Sequence, residues 1–233
     1  EFQLNCTVKI LESKYDVKNP FKAQVLTAGV GSGKTIGFTI ATLIEARKSI
    51  LDGISNDDWK TTSIFIYPRT QLAIDQHEEI SKIASYMTDS NGNSVSPEVW
   101  LEHYRNRFYT EGAVTTGVVE KYGTHSKPIP IIITTYETLK RRMVRPEFIR
   151  KLSKHLSTIV LDEIHLSSGV SGGMSSYLLS RLSATTKKEV FWIGASATIA
   201  RPDEHASKLF GLNKEEVGVI EPKLEELKQA GIN

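Results

Sequence analysis

Three glycines, a lysine and a threonine in AGVGSGKT, residues 28 to 35, have the spacing that a backbone cradle for phosphate requires. Gly29, Gly31 and Gly33 let the chain take positive φ and approach an anion closely, so consecutive N–H groups can point at its oxygens. Lys34 would then bridge the β- and γ-phosphates of a nucleotide as a point charge, and the Thr35 hydroxyl would supply one oxygen to an octahedral Mg2+ ion. The candidate nucleotide-binding set is therefore Ala28, Gly29, Val30, Gly31, Ser32, Gly33, Lys34 and Thr35, with Thr35 also a metal ligand. Ala28 stands where the strict pattern has its first glycine, at a position that closes the turn and does not touch phosphate.

A second pair of reactive groups ends the apolar run TIVLDEIH, residues 158 to 165, about 130 residues downstream. Asp162 would hold the Mg2+ ion, through a coordinated water, while Glu163 would orient and deprotonate the water that attacks the γ-phosphate. Adjacent acids after a strand are weak evidence alone, and they gain meaning from the phosphate loop upstream. A third stretch, GASAT at 194 to 198, again comes directly after an apolar run. Taken alone, its small hydroxyl residues are ordinary turn chemistry.

These groups need strands to carry them and helices to cover the strands. FKAQVL before the loop reads as a short strand, and TIGFTIATLIEARKSI after it has apolar residues at helical spacing. Further strands are expected at TTSIFIYP, GAVTTGVVEKYG, PIPIIITTYETL, LSTIVLDEIH and EVFWIGASAT. Helices are expected at FQLNCTVKILESK (2 to 14), from about Thr70 to Met87, in the basic stretch after 139 and around SSYLLSRLSA, with SGVSGG (168 to 173) as a loop leading into that last one. Runs that are apolar on both faces, separated by helices, predict an α/β fold: a parallel sheet with helices on both faces and ligands at the carboxyl ends of its strands.

Composition permits an enzyme domain and excludes several other classes. The 233 residues, 39% hydrophobic, can bury one full core, and a net charge of +2 points to no particular partner. The single cysteine, Cys6, cannot form an internal disulfide, and the apolar runs are too short to span a bilayer, so a cytoplasmic protein is the default expectation. HEEIS at 77 to 81 lacks the second histidine of a zinc-binding HExxH helix.

Taken in order, the motifs resemble those of the first RecA-like domain of superfamily 2 helicases of the DEAD/DEAH-box type. AGVGSGKT is similar to motif I, YPRTQLAIDQ (67 to 76) to motif Ia, ITTYETL (133 to 139) to motif Ib, DEIH to motif II and SAT to motif III. The resemblance implies a P-loop NTPase that binds ATP and Mg2+ and works on nucleic acid. It implies catalytic roles for Lys34, Asp162, Glu163 and His165, and coupling of the nucleotide state to the nucleic acid by His165, Ser196 and Thr198. It also implies sugar-phosphate contacts at Arg69, Thr70, Thr134 and Thr135, contacts that position a strand without reading it. The threonines are equally suited to strand propensity and capping, and the order Arg69-Thr70 reverses the Thr-Arg of DEAD-box proteins. Such motors read adenine with a glutamine upstream of the loop; Gln3 is the candidate, with a solvated terminal residue as the other reading.

Two basic stretches, LKRRMVRPEFIRKLSK (139 to 154) and HYRNRFY (103 to 109), offer nucleic-acid surface or simply solvated faces. The pattern from DEIHLSSGVSGG through SATIARPDEHASKLFG is similar to DNA helicases of repair and anti-phage defence, which favours DNA over RNA as the track. The same resemblance calls for a second RecA-like domain, and for accessory subunits in some systems. With no initiator methionine and only some 35 residues after SAT, the sequence is expected to be a piece of a larger motor: one RecA-like domain over 1 to 233 with a loop-rich insertion near 88 to 128. A P-loop kinase would need an arginine-rich lid, and the final EEVGVIEPKLEELKQAGIN has no arginine. A non-catalytic scaffold would have no use for the intact set Lys34, Thr35, Asp162 and Glu163.

Overall fold

The computed structural model describes residues 2–16, 18–19, 21–29, 31–52, 61–102, 130–197 and 199–222. Val30, Thr198, the 103–109 basic stretch and the strand expected at GAVTTGVVEKYG lie outside the described residues.

The chain forms two compact units. The first comprises Glu1–Ile44, Thr158–Ala184 and Glu189–Asn233. Its strands are β1 (Ala23–Thr27), β5 (Thr158–Leu161), β6 (Phe191–Ser196) and β7 (Val217–Ile220), all parallel, in the order β5-β6-β1-β7. Every residue of β1, β5 and β6 is buried, so both faces of these strands are covered, as the continuous apolar runs predict. On one face Gln24 of β1 donates its side-chain amide to Ser13 Oγ at 2.7 Å, in helix α1 (Phe2–Tyr15). Gln24 aligns with Ile193 of β6, so the neighbouring Trp192 points to the opposite face. There its ring stacks on Phe210 at 5.0 Å, in a helix spanning Pro202–Phe210.

The helix after the phosphate loop, α2 (Lys34–Leu51), meets α1 at a glycine. A Cβ on Gly37 would stand 2.6 Å from Cys6 Cβ and 3.3 Å from the Gln3 carbonyl oxygen. Two helices thus touch backbone to backbone, and the Thr7 hydroxyl donates to the Gly37 carbonyl at 3.0 Å.

In the second unit, Glu45–Ser157 with Thr185–Lys188, strands β2 (Ser63–Tyr67), β3 (Val99–Leu101) and β4 (Ile131–Thr135) pair in parallel in the order β3-β4-β2. Helix α3 (Thr70–Ala84) comes after β2, and α4 (Tyr136–Arg142) and α5 (Pro146–Ser153) come after β4. The expected α/β class with parallel strands is what both units show. Two short strands, β3 and β7, escape the sequence pattern because three or four residues are too few to set a period.

The expectation for SGVSGG is corrected. Helix α6 begins at Gly169, and the helix Pro202–Phe210 is then α7. Glycine is the poorest helix former apart from proline, so its density reads as a loop. Here Gly169, at φ 57, turns the chain into the helix, and Gly172 lies so close to the Ser167 carbonyl that a Cβ would stand 2.7 Å from that oxygen. Tertiary crowding overrides propensity.

Two glycine substitutions separate crowding from propensity. Gly37→Ala gains helix propensity of about 1 kcal/mol but meets Cys6, and should lose about 1–3 kcal/mol net. Gly173→Ala, where a Cβ meets nothing within 4 Å, should gain about 0.5–1 kcal/mol. Urea unfolding of the two variants measures both signs.

Candidate active site

Three strand ends of the first unit carry the chemistry in a single register. Val25 of β1 aligns with Gly194 of β6, and Gly194 with Leu161 of β5, so the phosphate loop, GASAT and DEIH all leave the sheet at its carboxyl edge. The Ala28 N–H donates to the Ser196 carbonyl at 3.3 Å, tying the start of the loop to the end of β6.

The loop has the backbone its glycines allow. Gly31 and Gly33 both have φ 80, in the region that L side chains disfavour. Lys34 Nζ folds back to donate to the carbonyls of Ala28, at 2.5 Å, and Gly29, at 3.0 Å. Burial lowers the Lys34 pKa, and the negative charges of Glu163 and Asp162 oppose that fall. Thr35 lies in the first turn of α2, half-buried. Gln3 reaches the same loop: its side-chain amide donates to the Ser32 carbonyl at 3.3 Å, and a Cβ on Gly33 would collide with it.

Asp162 is the most perturbed carboxyl group described. Burial first, and the Glu163 charge second, push its pKa up to about 6. The Glu163 N–H it accepts at 2.9 Å, together with Lys34 and His165, offsets part of that rise. Glu163 itself sits at φ 51, ψ 47, a left-handed conformation rare outside glycine, and leads into a 3-10 turn, Ile164–Leu166. The His165 Nδ1 is hydrogen-bonded to Ser196 Oγ at 3.1 Å and lies 3.1 Å from Glu163 Oε2. The second contact lacks hydrogen-bond geometry, and Glu163 Oε2 is buried with no hydrogen-bond partner. Ser32 Oγ in the phosphate loop is in the same position.

These features fit a nucleotide with its metal. A half-buried carboxylate whose pKa is raised by desolvation, and by the charge of its neighbour, is a site whose ionised form a cation would stabilise. The orphaned Ser32 hydroxyl stands in the loop that would cradle phosphate, and the orphaned Glu163 oxygen stands where an attacking water would need an acceptor. Among the described residues no cluster of three or more His, Cys, Asp or Glu is poised for a metal. A Mg2+ ion that takes most of its oxygens from phosphates and water needs no such cluster.

The second unit holds the other candidates. Arg69 and Thr70 are exposed where β2 passes into α3, and Arg69 makes no side-chain cap to that helix. Thr134 and Thr135 are buried at the end of β4. The Thr134 hydroxyl donates to the Glu102 carbonyl at 3.1 Å, and Thr135 Oγ1 caps α4 by accepting from the Thr138 N–H at 3.3 Å. Their hydroxyls therefore have structural work inside the fold. Arg142, from the basic stretch at 139 to 154, makes an ion pair with the buried Glu102, which also accepts from Trp100 Nε1 at 3.1 Å. One of that stretch's seven cations is thus a packing residue.

Sequence reasoning missed His205. Its Nε2 lies 2.8 Å from the Ile164 carbonyl, inside the DEIH turn, from a helix outside the five motifs. A histidine three residues after Pro202 gives no signal without the tertiary structure.

Comparison with known proteins places this site in context. A family model described as DEAD/DEAH box helicase matches residues 2–205. The ATP-dependent helicase Lhr-Core of Saccharolobus solfataricus is 26% identical over 210 residues, which are 89% of this chain and 22% of that protein. Among solved structures, the DUF1998 helicase MrfA bound to DNA has a TM-score of 0.66 at 18% identity, over 93% of this chain and 25% of MrfA. The DEAD-box helicase Mss116 bound to ssRNA and UDP-BeF has a TM-score of 0.63 at 17% identity, over 94% of this chain and 39% of Mss116. The chain thus spans less than half the length of each of these proteins.

The raised Asp162 pKa sets a stability profile. Because the folded value, about 6, lies above the ordinary 3.8, the fold loses stability as pH rises through 4 to 6. In EDTA, Asp162→Asn should match the wild type near pH 4 and exceed it by about 1–3 kcal/mol at pH 8. Urea unfolding at the two pH values measures the gap; a gap that is equal at both would remove burial of the charge as its cause.

Proposed function

Since this chain belongs to the DEAD/DEAH box helicase family, we propose that it is the ATP-binding half of an ATP-dependent helicase or translocase that moves along nucleic acid, DNA in preference to RNA. The observation that carries this reading is the convergence of Lys34, Asp162 and Glu163 at the carboxyl edge of one parallel sheet, with acceptor and donor atoms left unpartnered there. Loop N–H groups and Lys34 hold the phosphates, Thr35 and Asp162 hold Mg2+, and Glu163 accepts the proton of the attacking water. When bound, Mg2+ supplies neutralisation of charge on the phosphate oxygens. Lys34 leaves the Ala28 and Gly29 carbonyls to meet a stronger acceptor, and Gln3 lies on the loop, from where it reads the adenine base.

His165, Ser196 and Thr198 form the coupling path. The Nδ1 of His165 is within reach of Glu163 and of Ser196 together, so a change at the carboxylate alters the bond to the end of β6. Arg69 and Thr70 meet sugar-phosphate oxygens from the exposed start of α3, while Thr134 and Thr135, buried with their hydroxyls bonded inside the fold, support the end of β4 from within. A second RecA-like domain in the full-length protein supplies arginine fingers, worth about 10³ to 10⁵ in rate in related phosphoryl transfer. DNA is favoured because MrfA, similar in fold, was solved on DNA. Mss116, solved on ssRNA, represents the competing track. No helix among the described residues is long and apolar enough to cross a membrane, in keeping with a cytoplasmic protein associated with nucleic acid.

The test is ATP turnover with and without single-stranded DNA or RNA, alongside titration with a non-hydrolysable ATP analogue. Lys34→Ala should abolish analogue binding. Glu163→Gln should keep it and lower turnover in the full-length protein by about 10² to 10⁴. Stimulation by DNA supports the assigned track, and stimulation by RNA alone replaces it. Turnover unchanged in Glu163→Gln would overturn the hydrolytic reading.

A further inference from the structure

Ile164 separates the two reactive members of the DEIH turn, Glu163 and His165, and its backbone is held from outside the motifs. Its carbonyl accepts the Ser167 N–H at 2.9 Å and lies 2.8 Å from His205 Nε2. A carbonyl only accepts, so that nitrogen carries the proton in either charge state of the ring. His205 comes from α7, which the chain enters through Arg201 at φ 52. Among the described residues, Arg201 and Glu163 are the non-glycine positions with positive φ. The backbone N–H of His205 donates to the Arg201 carbonyl at 3.1 Å, as the first turn of α7. One residue therefore holds the turn after Glu163 with its ring and the turn after Arg201 with its backbone.

The turn has two other anchors. The fully buried Ile164 side chain packs where Gly194 leaves room, since a Cβ on Gly194 would stand 3.1 Å from Ile164 Cδ1. His165 is bonded to Ser196. Both anchors hold side chains; His205 holds the backbone immediately after Glu163, where the left-handed φ is set. A left-handed residue persists only where its surroundings over-determine it.

We propose that His205 is a positioning residue for ATP hydrolysis: it pins the Ile164 carbonyl, keeps the Glu163 backbone kinked, and ties the segment after SAT to the aim of the Glu163 carboxylate. The inference rests on the reading of Glu163 as the water-activating base. The pin itself is a structural claim that can be measured without turnover.

Two substitutions of the full-length protein test it. His205→Leu keeps the bulk and removes the donor, while His205→Gln keeps an N–H at a similar reach. Hydrogen exchange reads the Leu166 and Ser167 amides, which donate to the carbonyls of Glu163 and Ile164. His205→Leu should speed their exchange while β5 and β6 stay protected, and should lower kcat about tenfold or more with KM for ATP within about twofold. His205→Gln should restore most of both, and the effect should hold from pH 6 to 8, because either ring state donates. Unchanged exchange in the Leu variant would remove the pin, and faster exchange with unchanged kcat would remove its positioning role. A Gln variant as impaired as Leu, or loss of protection throughout β5 and β6, would make the ring a packing residue and overturn the proposal. If the wild type itself does not hydrolyse ATP, the proposed function fails while exchange still reports on the pin.

Discussion

Parallel pairing of β5, β6 and β1 is the constraint on which the candidate site depends. Parallel strands need crossover connections, so their carboxyl ends all open on the same edge, and the residues after each strand are delivered there. In this chain those residues are a glycine loop with Lys34, a pair of carboxylates, and a serine that meets a histidine. One-residue slippage of β6 against β1 would turn Ser196 to the other face and break the bond to His165. Trp192 on Phe210 and Gln24 on Ser13 bind the two faces to different helices, so such a slip would expose or misplace both.

Placing unlike groups at one edge creates an electrostatic arrangement that is costly until a ligand arrives. Asp162 and Glu163 repel, Asp162 is largely desolvated, and Lys34 is drawn by both acids while its ammonium rests on two carbonyls. Phosphate and a divalent ion would change every sign in that balance: the ion would stabilise ionised Asp162, and the phosphates would take Lys34. The left-handed Glu163 adds a backbone cost of about 1–2 kcal/mol. Such a cost is tolerated where it aims a functional group.

The second unit also pairs its strands in parallel, with hydroxyl groups put to structural use. Thr134 and Thr135 serve the fold through Glu102 and the α4 cap, whereas Arg69 and Thr70 stand exposed at a helix start. The ion pair of Arg142 with buried Glu102 shows why a run of cations cannot be read as surface by count alone. A periodic pattern of buried Leu139, Met143, Phe148 and Leu152 decides which of them face inward.

The sequence by itself determined the α/β class, the parallel strands and the place of the glycine loop between β1 and α2, because apolar runs, helical periods and glycine spacing are local properties. It also placed Asp162, Glu163 and Ser196 at strand ends, since a strand's last apolar residue is visible in the chain. Only the tertiary structure decided that Gln3 touches the loop, that Gly172 belongs to a helix, that Glu163 is left-handed and that His205 grips Ile164. Each of these depends on packing around the residue concerned: about 30 residues separate Gln3 from Ser32, and about 40 separate Ile164 from His205. A contact of that kind leaves no periodicity in either partner, so it exists only once packing has brought the two segments together.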